Sequence, residues 1–537
     1  MASMVNSRHD HVSSLEAELA NLEFQLEIVG NFELADDCNV EEFFAELLAR
    51  NAHIASLRRR LERSISSDRS VSEEIDSVEV GTLRRRRYVP HLPYELMSAI
   101  FKHASIKPEA RANFAMSVSR VSRYWRETAM QIPFLWSGIS LPIFAIEGGY
   151  QISLKAFIQR SQSYPLDIFI DLQRFSNDYF RNMFSDTRNQ LDILVPEASR
   201  WRSFTLEGDC PLYVFDIIAP LGDLRASILA SFRLSATAGQ FDWDDIHDNR
   251  TLDLFTGGTP LLSHVHIGGI TEFFPPLSSV TYLHLEEFYT PMGGREFLDM
   301  LRSSHVLVCL RLDGAIVDGQ SLYQLALRNV KVEMGSLRVL SFTAELSDKC
   351  YLKSILNTIH CPNLGSMTIS ARDHFGCMGP AHISSTHTPL VSPYPMLHSL
   401  ELFGLNCIEL AEQFDFTQLP SLATISLIRC TSPMAFLRIL LPSQGNNDKN
   451  CFWPLLRVIK LTHLGVEEFN GLCEIISHRI ACDRPIETVQ IDPRSLDTFP
   501  EKVEWMKLHL VVQWGEHMHY QERIMDVPFL LPDASSS

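Results

Sequence analysis

No uncharged apolar run in the 537 residues approaches the roughly 18 needed to cross a bilayer, so no membrane partner is expected. CxxC pairs are missing too. The eleven cysteines are scattered (Cys38, Cys210, Cys309, Cys350, Cys361, Cys377 and onward), which argues against a disulfide framework or a zinc ribbon. A basic excess is also lacking: the net charge of −18 opposes broad phosphate binding, so the expected partners are proteins and not nucleic acid. The opening residues MASMVNSRHDHV carry no apolar core of the secretory kind, so a cytoplasmic and/or nuclear chain with reduced thiols is expected. None of GxxxxGK[ST], HExxH, GxSxG or GxGxxG occurs, so no enzyme activity and no cofactor are expected. Cys361, His374, Cys377 and His382 can be drawn as a metal cluster, but without a CxxC knuckle we assign no metal to them. His517 and His519, two apart, read as surface residues.

What is present is the composition of a globular protein, 45% hydrophobic and 21% charged, at a length that implies several domains or a repeat array. Leu15, Leu19, Leu22 and Leu26 form one helical stripe, and Ile54, Leu57 and Leu61 a second. Either a helical hairpin or a short coiled coil over 1–66 satisfies both. Residues 67–87 follow as a Ser- and acid-rich linker ending in Arg84 to Arg87, four arginines that read as a solvated tether or a nuclear import signal.

The stretch LPYELMSAIF (92–101) gathers large apolar residues, with Leu96, Ile100 and Phe101 expected on one helix face. Trp125, Phe134, Leu135 and Trp136 add more bulky surface than some forty-five residues readily bury alone, so something else should cover the excess.

Beyond residue 150 the chain repeats. PLLSHVHI (260–267), PNLGSMTI (362–369), PMLHSLEL (395–402), PSLATISL (420–427) and PLLRVIKL (454–461) share Pro, any residue, Leu, two variable positions, then apolar, polar, apolar. Alternating apolar residues alone mean little in such a hydrophobic chain. The fixed Pro and Leu bring the expectation by chance to well under about one match. Weaker copies are VTYLHL (280–285), LVCLRL (307–312), LRVLSF (337–342) and IETVQI (486–491), with WRSFTL (201–206) upstream. The nine starts from 262 to 486 recur about every 28 residues, the spacing of a leucine-rich repeat of strand plus helix. QSLYQLALRNV and KSILNTIH are helix-compatible connections. Within each strand the two apolar residues should face inward and the residue between them outward. That middle residue is His266, His284, Arg311, Ser341, Thr368, Glu401, Ser426, Lys460 and Gln490 in turn. Stacked in parallel, the nine would form a ladder along the concave face of a solenoid, a candidate target-binding surface.

Residues 89–137 resemble the F-box, the helical module of substrate receptors in Skp-cullin-F-box ubiquitin ligases. Leu92-Pro93, Glu95-Leu96 and Ile100-Phe101 match its first half. Val118-Ser119-Arg120 or Val121-Ser122-Arg123, then Trp125-Arg126, Ala129, Pro133 and Leu135-Trp136 match the second. The whole arrangement is similar to fungal F-box proteins with degenerate leucine-rich repeats, although the Asn or Cys expected after each strand appears clearly only at Cys430. The resemblance implies that Leu92, Pro93, Leu96, Ile100, Val118 and Trp125 lie at or beside a surface docking a Skp-type adaptor, and through it a cullin. The expected fold class is an α/β solenoid, an irregular leucine-rich-repeat horseshoe with parallel strands, preceded by a small all-α F-box module and N-terminal helices. In domain terms this is F-box at 88–137, solenoid at 138–524 and a tail at 525–537, with residues 138–200 supplying a helix and then an edge strand, PLDIFIDL. The implied function is a non-catalytic adaptor subunit that holds an unknown protein target on the repeats. The alternative is a structural or regulatory interaction protein that uses the module outside a ligase.

Overall fold

The computed structural model describes residues 93–105, 108–141, 150–172, 180–208, 211–236, 252–271, 273–344, 349–371, 394–413, 419–441, 452–462, 464–492 and 499–514. The chain divides into two units, Met1–His91 and Leu92–Ser537, and every described residue belongs to the second. The expected N-terminal helices, the linker with its arginines, Leu92, His374, Cys377, His382, His517, His519 and the tail lie outside the described residues.

Three helices open the described chain: α1 (Tyr94–Ala104), α2 (Pro108–Val121) and α3 (Arg123–Met130). Pro93 stands at the cap of α1, and its carbonyl accepts from the amides of Leu96 and Met97 at 3.1 and 3.0 Å. Glu95 in the first turn and Lys102 and His103 in the last complement the helix dipole. At α3 the Ser122 hydroxyl oxygen accepts from the Trp125 amide at 3.1 Å, a side-chain cap on an otherwise unsatisfied donor. The inward face of α1 is Met97 and Phe101, four residues apart, and not the expected Leu96, Ile100 and Phe101. They pack with Ala115, Val118, Ala129, Ile132, Leu135 and Trp136. Trp125 lies edge-on to Phe101, centroids 5.3 Å apart. Part of the apolar excess is covered from later in the chain. Phe157, on α4 (Tyr150–Ser161), meets the Trp136 ring at 5.2 Å and belongs to the same cluster.

The rest is α/β, built on one sheet of fourteen parallel strands. In order these are β1 (Gly138–Leu141), β2 (Leu166–Asp171), β3 (Trp201–Gly208), β4 (Ser231–Ala236), β5 (His264–Gly269), β6 (Tyr282–Phe288) and β7 (Cys309–Asp313). Then follow β8 (Val339–Ala344), β9 (Ser366–Ala371), β10 (Ser399–Phe403), β11 (Thr424–Ile428), β12 (Val458–Leu461), β13 (Thr488–Ile491) and β14 (Val511–Trp514). Each strand pairs with the next in chain order. Parallel neighbours need a long crossover, and helices supply several of them, among them Gly319–Leu327 and Lys349–Thr358 over the two helix-compatible runs. The segment LDIFID is β2 and not the edge; GISL, at β1, is the edge strand.

The conserved shape of the motif has a local cause. In each of the five strong copies Pro occupies the second position of a four-residue turn, where its fixed φ suits the backbone, and the turn closes on the motif Leu. The Leu262 amide donates to the Thr259 carbonyl at 3.1 Å, Leu364 to Cys361 at 3.2 Å, Leu397 to Tyr394 at 3.1 Å, Leu422 to Leu419 at 3.3 Å and Leu456 to Trp453 at 3.0 Å. The Pro-less copies close the same way, Leu307 on Ser304 and Leu337 on Met334, both at 3.1 Å. All of these leucines are buried, and so are Val265, Leu283, Leu310, Leu340, Met367, Leu400, Ile425, Ile459 and Val489, which stack strand upon strand within one continuous core.

The helical module is fixed to the sheet by a buried ionic knot. Asp167 on β2 accepts from Arg111 Nη1 at 2.8 Å, Arg202 Nε at 2.9 Å and Ser203 Oγ at 2.8 Å. Arg111 also donates to Ser137 Oγ at 3.1 Å and lies 4.1 Å over the Phe134 ring. Among the described residues no helix is long and apolar enough to cross a membrane.

Candidate functional site

On the helical module, Leu96 and Ile100 lie one turn apart on α1 and remain 53% and 49% exposed. Their neighbours Met97 and Phe101 are buried, so α1 carries two apolar stripes side by side, one spent on the chain's own core and one left open. Pro93 is exposed at the start of the open stripe. Tyr94, also exposed, donates from its hydroxyl to the Gln131 carbonyl at 3.3 Å and so ties this end of α1 to the end of α3. Val118 sits differently. At 5% exposure it belongs to the internal cluster and cannot form part of an open contact surface. Trp125 is half-buried, its ring held against Phe101.

On the sheet, the nine middle residues of the repeats fall into a single unbroken register. His266 pairs with His284, His284 with Arg311, Arg311 with Ser341, Ser341 with Thr368, Thr368 with Glu401, Glu401 with Ser426, Ser426 with Lys460 and Lys460 with Gln490. The row runs on to residues that the motif missed. Gln513 accepts from Gln490 Nε2 at 2.7 Å at one end, and Arg233 and Thr205 continue it at the other. Thr205 is the middle residue of the upstream copy WRSFTL; Arg233 was legible in SFRLSA, a copy with Phe and Leu flanking Arg. The row is not uniformly open, since His284 and Ser426 are buried.

The first third of this row is chemically the richest. Two positions along each strand, on the same face, stand Glu207, Glu286 and Asp313, and each meets a cation or imidazole of the ladder. Arg233 Nε lies 3.2 Å from Glu207 Oε1, His266 Nε2 2.9 Å from Glu286 Oε2, and His284 Nε2 2.8 Å from Asp313 Oδ2. Arg311 Nε donates to the same Asp313 oxygen at 2.7 Å, and Thr343 Oγ1 donates to its other oxygen at 2.9 Å. The rings of His266 and His284 lie with centroids 4.1 Å apart. Burial pushes the His266 imidazole down to about 4, against the opposing pull of Glu286, so it is neutral at pH 7. The Glu286 carboxyl is held below its ordinary value chiefly by the bond from His266. Burial alone would raise Asp313, but the His284 bond and the Arg311 charge outweigh it and hold the group at about 2. Both carboxylates are therefore acceptors, and the hydrogen of each imidazole contact sits on Nε2. The acidic partners were readable from the strand period, two places after His284 in YLHLEEF and after Arg311 in CLRLD.

Farther along, Cys430 follows β11 and its thiol donates to the Leu402 carbonyl at 3.4 Å, so the one clear repeat cysteine bonds to the preceding repeat's backbone. Comparison with protein-family models and with curated proteins finds no match in either.

Proposed function

We propose that the chain is a substrate receptor of a Skp-cullin-F-box ubiquitin ligase, and that it acts without chemistry of its own. The helical module docks a Skp-type adaptor, which brings the cullin. The sheet, read as a leucine-rich-repeat-like solenoid, presents its ladder row to a protein target. Acceleration then comes from proximity, the target's lysines being held near an enzyme carried by other subunits. The observation that carries this reading is the open stripe of α1. Leu96 and Ile100 stand exposed beside the buried Met97 and Phe101, an arrangement that suits a helix packing on two bodies at once. Pro93 and Tyr94 flank it. The parallel register of polar residues supports the second half of the reading, because repeat arrays commonly bind along such a row.

The test is copurification of the intact chain with a Skp-type protein, followed by the same measurement on Leu96→Asp/Ile100→Asp. Binding by the intact chain and loss in the variant, with an unchanged circular-dichroism melt, is the expected result. An intact chain that does not bind the adaptor refutes the proposal. Adaptor binding with no ubiquitin transfer to any captured protein would replace it by a scaffold role outside a ligase.

A further inference from the structure

Three nitrogen and oxygen donors of the ladder, one each from His266, His284 and Glu286, lie within 4.8 Å of one another on the polar face of the sheet. We propose that these three residues bind a divalent transition-metal cation of the zinc type. The site would sit on the proposed target-binding row, but it stands on its own geometry and does not depend on the adaptor reading.

Three features favour a cation there. The donors are the right kind, imidazole and carboxylate suiting zinc, whose ligand bonds are about 2.0–2.2 Å. His266 Nε2 and Glu286 Oε2, 2.9 Å apart, need to part by only a few tenths of an ångström to become two corners of a tetrahedron about such an ion. The ion would take the place of the hydrogen they now share, and the neutral ring would carry its hydrogen on Nδ1 instead. Asp313 then does for His284 what carboxylates commonly do behind a metal-bound imidazole: it contacts Nε2 at 2.8 Å and fixes the ring. Asp313 is itself locked by Arg311 and Thr343.

Charge and access point the same way. Glu207, Glu286 and Asp313 outnumber Arg233 and Arg311 in the network, leaving negative charge for a cation to neutralise. The Glu286 side chain is 46% exposed, which opens a route in from solvent and a coordination position for water or a side chain of a bound protein.

The experiment uses the full chain, stripped with EDTA and titrated with zinc chloride in a calorimeter, then with cobalt chloride in a spectrophotometer. One equivalent of zinc should bind to the intact chain, and His266→Gln/His284→Gln should lose it or weaken it at least about tenfold. Cobalt should show only the visible bands of nitrogen and oxygen ligands. Should the double variant melt differently without metal, Glu286→Gln serves instead, its side chain being half exposed, and must show the same weakening. His478→Gln/Cys482→Ser is the control: that imidazole and thiol lie 3.6 Å apart on another part of the chain and form the obvious competitor. Zinc binding that survives in both ladder variants, a near-ultraviolet thiolate band with cobalt, or no binding by the intact chain each overturns the assignment.

Discussion

Arg111 on α2 donates to Asp167 on β2 across 2.8 Å, and the two side chains are only 2% and 3% exposed. The helical module therefore does not hang from the sheet on a tether. Its second helix reaches into the sheet's first strands, and Ser137, Arg202 and Ser203 complete the hydrogen bonding of the pair. A buried ion pair tolerates the loss of one member poorly, because the survivor is left charged and unsolvated.

Asp167→Asn should accordingly cost about 3 kcal/mol at neutral pH. Burial would raise the Asp167 carboxyl, but the bonds and charges of Arg202 and Arg111 outweigh it and hold the group below its ordinary value, with Tyr164 the other titratable neighbour. A depressed carboxylate stabilises fully above its unfolded value near pH 4, and the contribution is lost as pH falls through the lower folded value. Urea unfolding at pH 7 and near pH 3 should show the gap between wild type and variant narrowing in acid. An equal gap at both would contradict this account.

The two stripes of α1 should separate stability from binding. Phe101→Ala empties a fully buried site in contact with Phe114 and Trp125 and should cost about 3–5 kcal/mol. Leu96→Ala, half exposed, should cost about 1 kcal/mol or less. Thermal melts of the two single variants check the contrast.

At Gly138 there is no room for a side chain. A Cβ there would lie 2.3 Å from the Pro108 carbonyl oxygen and 2.9 Å from Arg111 Cβ, so α2 would have to lift from β1. Gly138→Ala should destabilise by about 1–3 kcal/mol and loosen the neighbouring Arg111–Asp167 pair. Faster hydrogen exchange in α2 than elsewhere would register it.

Adjacent residues of β12 offer a test of strand alternation. Ile459 points into the core and Lys460 stands on the ladder. Ile459→Ala should cost about 2–5 kcal/mol, and Lys460→Ala within about 0.5 kcal/mol. Comparable losses by chemical denaturation would mean that the row is structural and not a surface.

The repeats were legible because their causes are local. A proline at the second place of a tight turn, a leucine closing it and an apolar-polar-apolar strand recur wherever Pro and Leu were retained, as at 260–267 and 454–461. Some strands without that punctuation were caught by alternation and spacing, as LVCLRL was, but GISL, SFRLSA and VVQW, outside the regular series and without a proline two places before a leucine, escaped notice. In the helical module the inward face of α1 was misjudged, although the expected docking surface included Leu96 and Ile100, which stay exposed. Spacing alone put Leu96 and Ile100 inward with Phe101, because i, i+4 and i, i+5 partners share a broad face and the sequence holds no information on which edge of it meets the neighbouring helix.

Residue order was thus enough to specify the strand register and the identity of every ladder residue from His266 to Gln490, since turn closure and period-two alternation act over a handful of neighbours. Folding in three dimensions settled the rest: which stripe of α1 stays open, that Val118 goes inward, that Arg111 meets Asp167, and that His266, His284 and Glu286 converge. Those outcomes depend on groups 13 to 56 positions apart competing for the same space and the same hydrogen bonds, and no local pattern records who wins.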